Sequence, residues 1–378
     1  MDNIKILHTA DWHFDSKFSG ILSPVIRRER QLEQRKTFKY TINLAIQENV
    51  DLFLIAGDLF EQNSFTIETI NFIISALKEL KCPILITPGN HDPYINESPY
   101  KLFDWGPNVF IYSENSFIPF KYKNTEIYGI ANTIYKDETY CLRDLNIPPE
   151  NDLKRIVMFH GTYIDFIPFI SNNDVCFPFS QEDIKKLHVQ YIALGHFHEQ
   201  RGLNIPDIPA YYSGTPEGIN SKERGDRFAI LAEISLSNCK VERNKVNQRS
   251  FEELCVDITG IDNQDSLYEK LRYEILKSQQ ADNLLYIILF GTLSFTMNLK
   301  EIESLLGKEF YYIRLKNDTI SAFNIEELKR ANTLVGDFVR KIDEKIKETN
   351  NEEEKIILNK AILYGLKALL GKEDIELE

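Results

Sequence analysis

The chain has 378 residues, 43% of them hydrophobic and 27% charged, with a formal net charge of −13; it is too long for the usual single domain, ordinary for a soluble globular protein, and too acidic to hold nucleic acid by bulk charge. Its five cysteines (Cys82, Cys141, Cys176, Cys239, Cys255) are scattered and odd in number, which argues against a disulfide framework or a thiolate zinc site and points to a reducing, cytoplasmic compartment. No apolar stretch reaches the roughly 18 residues needed to span a bilayer, and the first residues run straight into a charged residue and a strand, so neither export nor a membrane is expected.

In chain order, residues 4–7 form a short apolar run that leads to Asp11 and His13. Residues 28–49 have helix-forming composition with Phe38, Ile42, Ala45 and Ile46 as an apolar stripe. Around the start of that segment lie Arg27, Arg28, Arg30, Arg35, Lys36 and Lys39, opposed by Glu29 and Glu33. This surplus of positive charge reads either as a solvated helix face or as a DNA contact that tracks phosphates. The run 52–56 ends at Asp58, a helix follows over 67–80 with Ile67, Ile70, Ile74 and Leu77 at helical spacing, and the run 84–86 ends at Asn90 and His91. Residues 126–130, 156–159 (ending at His160), 191–194 (ending at His196 and His198), 211–214 and 227–234 read as further strands. The polar stretch 237–249 reads as a linker. Beyond it, strands at 253–258, 284–290 and 310–315 alternate with helices at 264–277 and 299–306. From Asn324 onward helix formers and charges dominate, broken by the acidic run 348–354. Ile356, Leu363, Leu366, Leu369 and Leu370 there form a stripe that either packs back on the protein or docks a partner helix. The expected domains are 1–240, 250–318 and 319–378.

Five apolar runs each deliver oxygen- or nitrogen-bearing side chains, and five of the seven histidines stand at their ends. Buried strands of α/β sheets read as such runs, and ligands bind at their carboxyl ends, so residues remote in sequence converge there. A metal site is the expected outcome, and bound cations also reduce what the acidic net charge forbids. His8, inside the first run, reads as structural, and His188, beside Lys185 and Lys186, as a helix-end residue. Asp15 reads as orienting His13 or capping a turn.

The motifs Asp11-Trp12-His13, Gly57-Asp58, Gly89-Asn90-His91-Asp92, His160-Gly161 and Gly195-His196-Phe197-His198, in that order and spacing, resemble the calcineurin-like metallophosphoesterases. Within that superfamily the chain is similar to the nuclease subunits of bacterial SbcCD-type DNA repair complexes, in their YhaO-like branch, over roughly residues 1–235. The resemblance implies a four-layer α/β fold of two packed mixed β-sheets flanked by helices, followed by a smaller α/β capping domain and a C-terminal helical tail. It implies two divalent ions, expected to be manganese, one held by Asp11, His13, Asp58 and His198 and the other by Asp58, Asn90, His160 and His196. His91 would act at the transition state, oriented by Asp92. It also implies DNA and an SbcC-like, SMC-type ATPase as partners, and a homodimer. Some nucleases of the family carry a histidine three residues after the bridging aspartate, where Glu61 stands here. The competing readings are a phosphodiesterase or phosphatase for small nucleotides or phosphoproteins, and a scaffold subunit that chiefly docks an ATPase.

Overall fold

A computed structural model describes residues 3–18, 20–21, 23–147, 152–169, 175–321 and 328–369. The chain divides into two compact units, Met1–Ser250 and Phe251–Glu378.

The first unit holds two six-stranded mixed sheets. One is built from β1 (Ile4–Thr9), β2 (Leu52–Ala56), β3 (Ile84–Thr87), β4 (Val109–Ile111), β11 (Phe228–Ile234) and β12 (Cys239–Lys245), in the order β12-β11-β1-β2-β3-β4. The other contains β5 (Ile118–Tyr122), β6 (Thr125–Gly129), β7 (Lys154–His160), β8 (Tyr191–Gly195), β9 (Arg201–Leu203) and β10 (Ala210–Tyr212), in the order β5-β6-β7-β8-β10-β9. Strand alternation sorts their side chains into three layers of core. Leu52 and Leu54 of β2 meet Ile156 and Met158 of β7 between the sheets, while Phe53 and Ile55 face the other way, toward the helices. Val157 and Phe159 fill the outer face of the second sheet. Strands buried on both faces have no polar side to show, which is why they read as unbroken apolar runs.

The helices α1 (Pro24–Gln47) and α2 (Ile67–Leu77) cover the first sheet. The Ser23 side chain caps α1 and Pro24 opens it, so it begins earlier than its apolar stripe suggests. Phe38, Ile42 and Ala45 are buried, but Ile46, expected on the same stripe, is 44% exposed. Thr66 caps α2, whose Ile70, Ile74 and Leu77 are buried while Ile67, in its first turn, faces solvent. Two short helices, α3 (Pro99–Leu102) and α4 (Gln181–Lys185), complete this unit, the latter closed by a Ser180–Asp183 capping box.

The stretch 237–249, expected to be a linker, contains β12, paired antiparallel with β11 from Phe228↔Lys245 to Ile234↔Cys239. β12 lies at the edge of its sheet, where Cys239 and Val241 pack on the core and Lys240 and Glu242 face water. An edge strand needs few apolar residues, and its charges discourage further pairing, so its composition imitates a linker.

In the second unit, β13 (Phe251–Asp257), β14 (Leu284–Phe290) and β16 (Tyr312–Asn317) form a parallel sheet in the order β13-β14-β16, and β15 (Thr292–Leu293) pairs with β17 (Ile320–Ser321). The crossover helices α5 (Gln264–Ser278) and α6 (Leu299–Leu306) supply Leu267, Leu271, Ile275, Ile302 and Leu306 to its core. After it come α7 (Leu334–Glu348) and α8 (Glu352–Leu369), in which Val339 packs with Ile362 and Leu366. Of the expected terminal stripe, Leu366 is therefore buried, whereas Ile356 and Leu369 are 36% and 41% exposed. The Leu363 side chain, Leu370 and the start of the tail at Asn324 lie outside the described residues.

Candidate metal centre

The ends of β1, β2 and β3 in one sheet and of β7 and β8 in the other bring the expected residues together. The five strands belong to two sheets, so the site lies where two layers meet rather than along one sheet's edge. Parallel pairing sets the level: His160↔Gly195 closes the β7–β8 register, and Ala56↔Thr87 closes β2–β3. Beyond these points the backbone turns sharply. Asp11 (φ 54°), His13 (φ 46°), Asp58 (φ 52°) and His196 (φ 111°) all adopt positive φ, a region that costs a non-glycine residue of order 1–3 kcal/mol and that clusters at functional sites. Gly57 (φ 90°) makes the approach feasible, because a Cβ there would overlap the His160 imidazole. At Gly195 a Cβ would strike the Ala56 carbonyl.

Hydrogen bonds among the ligand candidates lock the turns. The His196 N–H donates to Asp11 Oδ1 at 3.0 Å and the His91 N–H to Asp58 Oδ1 at 2.8 Å. Asp11, His13, Asp58 and His160 are almost fully buried, while Asn90, His196 and His198 are partly open. Asp11, His13 and His198 form one compact group of donor atoms, and Asp11, Asp58 and His160 another. His13 Nε2 lies 3.0 Å from His198 Nε2. Their Nδ1 atoms face carboxylates, Glu61 Oε1 and Glu223 Oε1, each at 2.8 Å, an arrangement that favours a proton on Nδ1 and turns the two Nε2 atoms toward each other. His160 Nδ1 likewise faces the Ala56 carbonyl at 3.1 Å, so its Nε2 confronts two more acceptors, Asn90 Oδ1 at 3.0 Å and Asp58 Oδ2 at 3.1 Å. Converging lone pairs repel unless a cation or a proton lies among them. Two ligand atoms about 2.1 Å from one ion, at right angles, are about 3 Å apart, so the donor set fits a divalent metal.

Electrostatics agrees. Burial opposes ionisation of Asp58, yet His160, His91 and His13 hold it well below the usual carboxylate range. Burial also works against a charged His160, but Asp58 and Asp11 raise it to about 9. Without metal, therefore, His160 retains a proton at the point where a cation would sit. Burial and neighbouring His160 push His196 down to about 3, a neutral imidazole ready to coordinate. His91, 45% exposed, is raised to about 10 by Asp58 and Glu61 against the effect of burial, and so carries positive charge at the mouth. Asp58, Asn90, His91, His196 and His198 line a cleft of about 950 Å³.

Several second-rank expectations need correcting. Asp92 makes no described hydrogen bond to the His91 ring. Its fully buried carboxylate accepts from the N–H groups of Gly89 (2.6 Å), Asp58 (3.1 Å) and Leu59 (2.6 Å) and from the Tyr100 hydroxyl (2.6 Å). It braces the Asp58 turn instead. Glu61 takes the orienting role, with Oε2 3.1 Å from His91 Nδ1 and Oε1 on His13. For Asp15 the capping alternative holds rather than the orientation of His13: it accepts from Thr66 N–H at 2.7 Å and the Thr69 hydroxyl at 2.8 Å and so anchors the start of α2.

The basic cluster on α1 is not one surface. Arg30 is fully buried and donates to Glu33 at 2.6 Å, to Glu217 at 2.5 Å and to the Gly218 carbonyl. Arg27 donates to the Ile21 carbonyl, while Arg35 pairs with Glu68 and Lys39 with Glu79. Arg28, Lys36 and Lys39 are exposed, as expected of a solvated face. His8 is structural as expected, buried with Nδ1 3.0 Å from the Tyr191 hydroxyl, and His188 is exposed just beyond α4. Glu223 and Tyr100 escaped the sequence reading. Nothing local marks Glu223, which is 25 residues from His198, whereas Glu61 had a signal in its spacing from Asp58.

Among the described residues, no helix is long and apolar enough to cross a membrane. A family model described as calcineurin-like phosphoesterase matches residues 4–200. The chain is 26% identical to an uncharacterized metallophosphoesterase, YhaO, of Bacillus subtilis, over 77% of this chain and 73% of that protein. It is 26% identical to the DNA double-strand break repair protein Mre11 of Methanosarcina acetivorans over 86% of this chain, spanning 52% of that longer protein. It is 21% identical to a subunit of the nuclease SbcCD of Staphylococcus epidermidis, over 94% of this chain and 98% of that one.

Proposed function

The chain belongs to the calcineurin-like phosphoesterase family, and from that premise we propose that it is a manganese-dependent nuclease hydrolysing DNA phosphodiester bonds. Asp11, His13, Asp58 and His198 would hold one ion and Asp58, Asn90, His160 and His196 the other, with Asp58 shared. The observation that carries this is the inward convergence of imidazole and carboxylate lone pairs whose outer atoms are already engaged by Glu61, Glu223 and Ala56. Carboxylate, amide oxygen and imidazole together suit manganese, iron or zinc. When bound, two such ions supply a hydroxide nucleophile from water and neutralise charge on the attacked phosphorus.

The protein's own groups do the rest. Glu61 and Glu223 fix the rings of His13 and His198, as carboxylates behind metal-ligating histidines commonly do. Asp92 holds the backbone of Asp58 in its strained turn. His91 keeps Nδ1 on Glu61 and offers its Nε2–H to the cleft, where it stabilises charge on a phosphate oxygen or protonates the departing one. Glu61 cannot itself offer positive charge to phosphate, so that duty falls to His91.

Similarity to a DNA double-strand break repair protein and to a nuclease subunit supports DNA as the substrate, and the family resemblance of the motifs suggests an SMC-type ATPase as partner of the C-terminal helices. The test of activity is one panel with manganese: linear duplex, hairpin, single strand, a cyclic nucleotide and an aryl phosphodiester. Cleavage of the nucleic acids is expected, and strong preference for the small esters would replace the nuclease reading with a small-nucleotide phosphodiesterase. For the partner, removal of residues 322–378 is expected to end co-purification with the ATPase.

A further inference from the structure

The cleft that opens on the metal centre is lined by Lys222, Arg224 and Arg243 as well as by the ligand candidates. These three cations take no part in the chemistry proposed for the ions. Lys222 and Arg224 lie on the loop between β10 and β11, and Arg243 on the edge strand β12; all three are exposed. The loop is fastened to the metal centre by the residue between its two cations. Glu223 takes His198 Nδ1 at 2.8 Å with Oε1 and the Ile219 N–H at 2.7 Å with Oε2, and Asn220 Nδ2 donates to it as well. Arg243 is steadied by Gln200 Oε1 at 3.2 Å and by the Phe228 ring, whose centroid is 5.4 Å from its Cζ. Arg227 also lines the cleft, but it is buried and donates to the His198 carbonyl at 2.9 Å, a structural use of its charge. The acids Glu199, Glu223 and Asp226 share the lining; Glu223 is engaged by His198 and Asp226 by Lys245 at 2.5 Å.

We propose that Lys222, Arg224 and Arg243 bind the phosphates next to the scissile one along a single nucleic-acid strand, and that the Glu223 anchor ties this phosphate-binding loop to the metal ligand His198. The chemistry selects a polyanion. A cyclic nucleotide or a phosphorylated side chain brings one phosphate, which the metal centre takes, whereas a strand brings several in succession to the cations that share the cleft. The cleft lies near the upper end of the roughly 300–1,000 Å³ typical of ligand sites, roomy for a mononucleotide. The inference rests on the nuclease reading for its ligand, so its test reads binding separately from cleavage.

The full chain and the triple variant Lys222→Ala/Arg224→Ala/Arg243→Ala are titrated with a fluorescein-labelled 12-nucleotide single strand in calcium, over a range of potassium chloride, by anisotropy. Arg28→Ala/Lys36→Ala on α1 is the control. The expected result is at least tenfold weaker binding by the triple variant, with a salt slope reduced by about 2, since each lost contact to a single strand removes about 0.7. The control should match the parent. Unchanged affinity and slope in the triple variant, an equal loss in the control, or a parent that fails to bind the strand would each overturn the proposal. Hydrolysis of an aryl phosphodiester with manganese is followed in parallel. Its absence in the parent would sink the enzymatic reading, while the binding data would still decide the role of the cleft.

Discussion

Asp58 is where the centre's demands meet, because it sits at positive φ, is buried, faces His160 and His13, and receives the His91 N–H. Asp58→Asn keeps the shape and removes the charge both ions would share; manganese-dependent cleavage is expected to fall below detection in a gel assay. His91→Ala should lower kcat by roughly 10²–10⁴, the usual worth of a general acid, while leaving manganese affinity, read by electron paramagnetic resonance, unchanged. Glu61→Gln tests the carboxylate that serves two rings. An amide presents an N–H where one imidazole N–H must be accepted, so one ring loses its orientation, and manganese affinity should drop about 10- to 100-fold, as for other groups behind a metal ligand. Retained affinity would show that Glu61 matters only to His91.

At the scale of elements, the strand-end turns are built for close approach. Gly57→Ala places a methyl group on the His160 ring at φ 90°, so the urea midpoint should fall by an amount equivalent to about 1–3 kcal/mol, the usual cost of such backbone strain, or more because of the overlap. A fully stable Gly57→Ala protein would mean that the turn relaxes freely. The helix α1 teaches a different lesson about charge. Its buried Arg30 pairs with Glu33 and Glu217, and breaking one partner of such a buried set costs about 3–5 kcal/mol. Arg30→Ala is therefore expected to destabilise the Met1–Ser250 unit in denaturant titrations, with no specific loss of DNA affinity in whatever remains folded.

For the molecule as a whole, proton and metal compete at His160. Its folded-state value of about 9 lies above the ordinary 6.5, so in the metal-free protein this proton stabilises the fold fully below pH 6.5, and the contribution is lost as pH rises through 9. Chelator-treated protein should thus lose stability between pH 6.5 and 9, while apparent manganese affinity rises over the same window because less proton has to be displaced. Every candidate ligand lies within Met1–Ser250. Manganese at a hundred times its dissociation constant, worth about 2.7 kcal/mol, should raise hydrogen-exchange protection in peptides of that unit and leave peptides of Phe251–Glu378 unchanged.

The sequence by itself determined the fold class and the set of residues that meet, because strands buried on both faces must be apolar throughout and the polar residues that end them stand out against that background. It also marked the two long helices of the first unit through their periodicity and the longer helices of the second through their helix-forming composition. What it could not supply was the identity of each residue's neighbour. Asp92 follows His91 directly in the chain and Glu61 lies 30 residues before it, yet the folded turns gave Asp92 to backbone N–H groups and Glu61 to two imidazoles. Local charge likewise made one patch of six cations on α1, yet burial took Arg30 into the interior. An edge strand with polar composition passed for a linker until its partner β11 was in place. Periodicity is a local property written along the chain, whereas hydrogen-bond partners and the exposure of a charge depend on segments far away in sequence, and only their packing decides them.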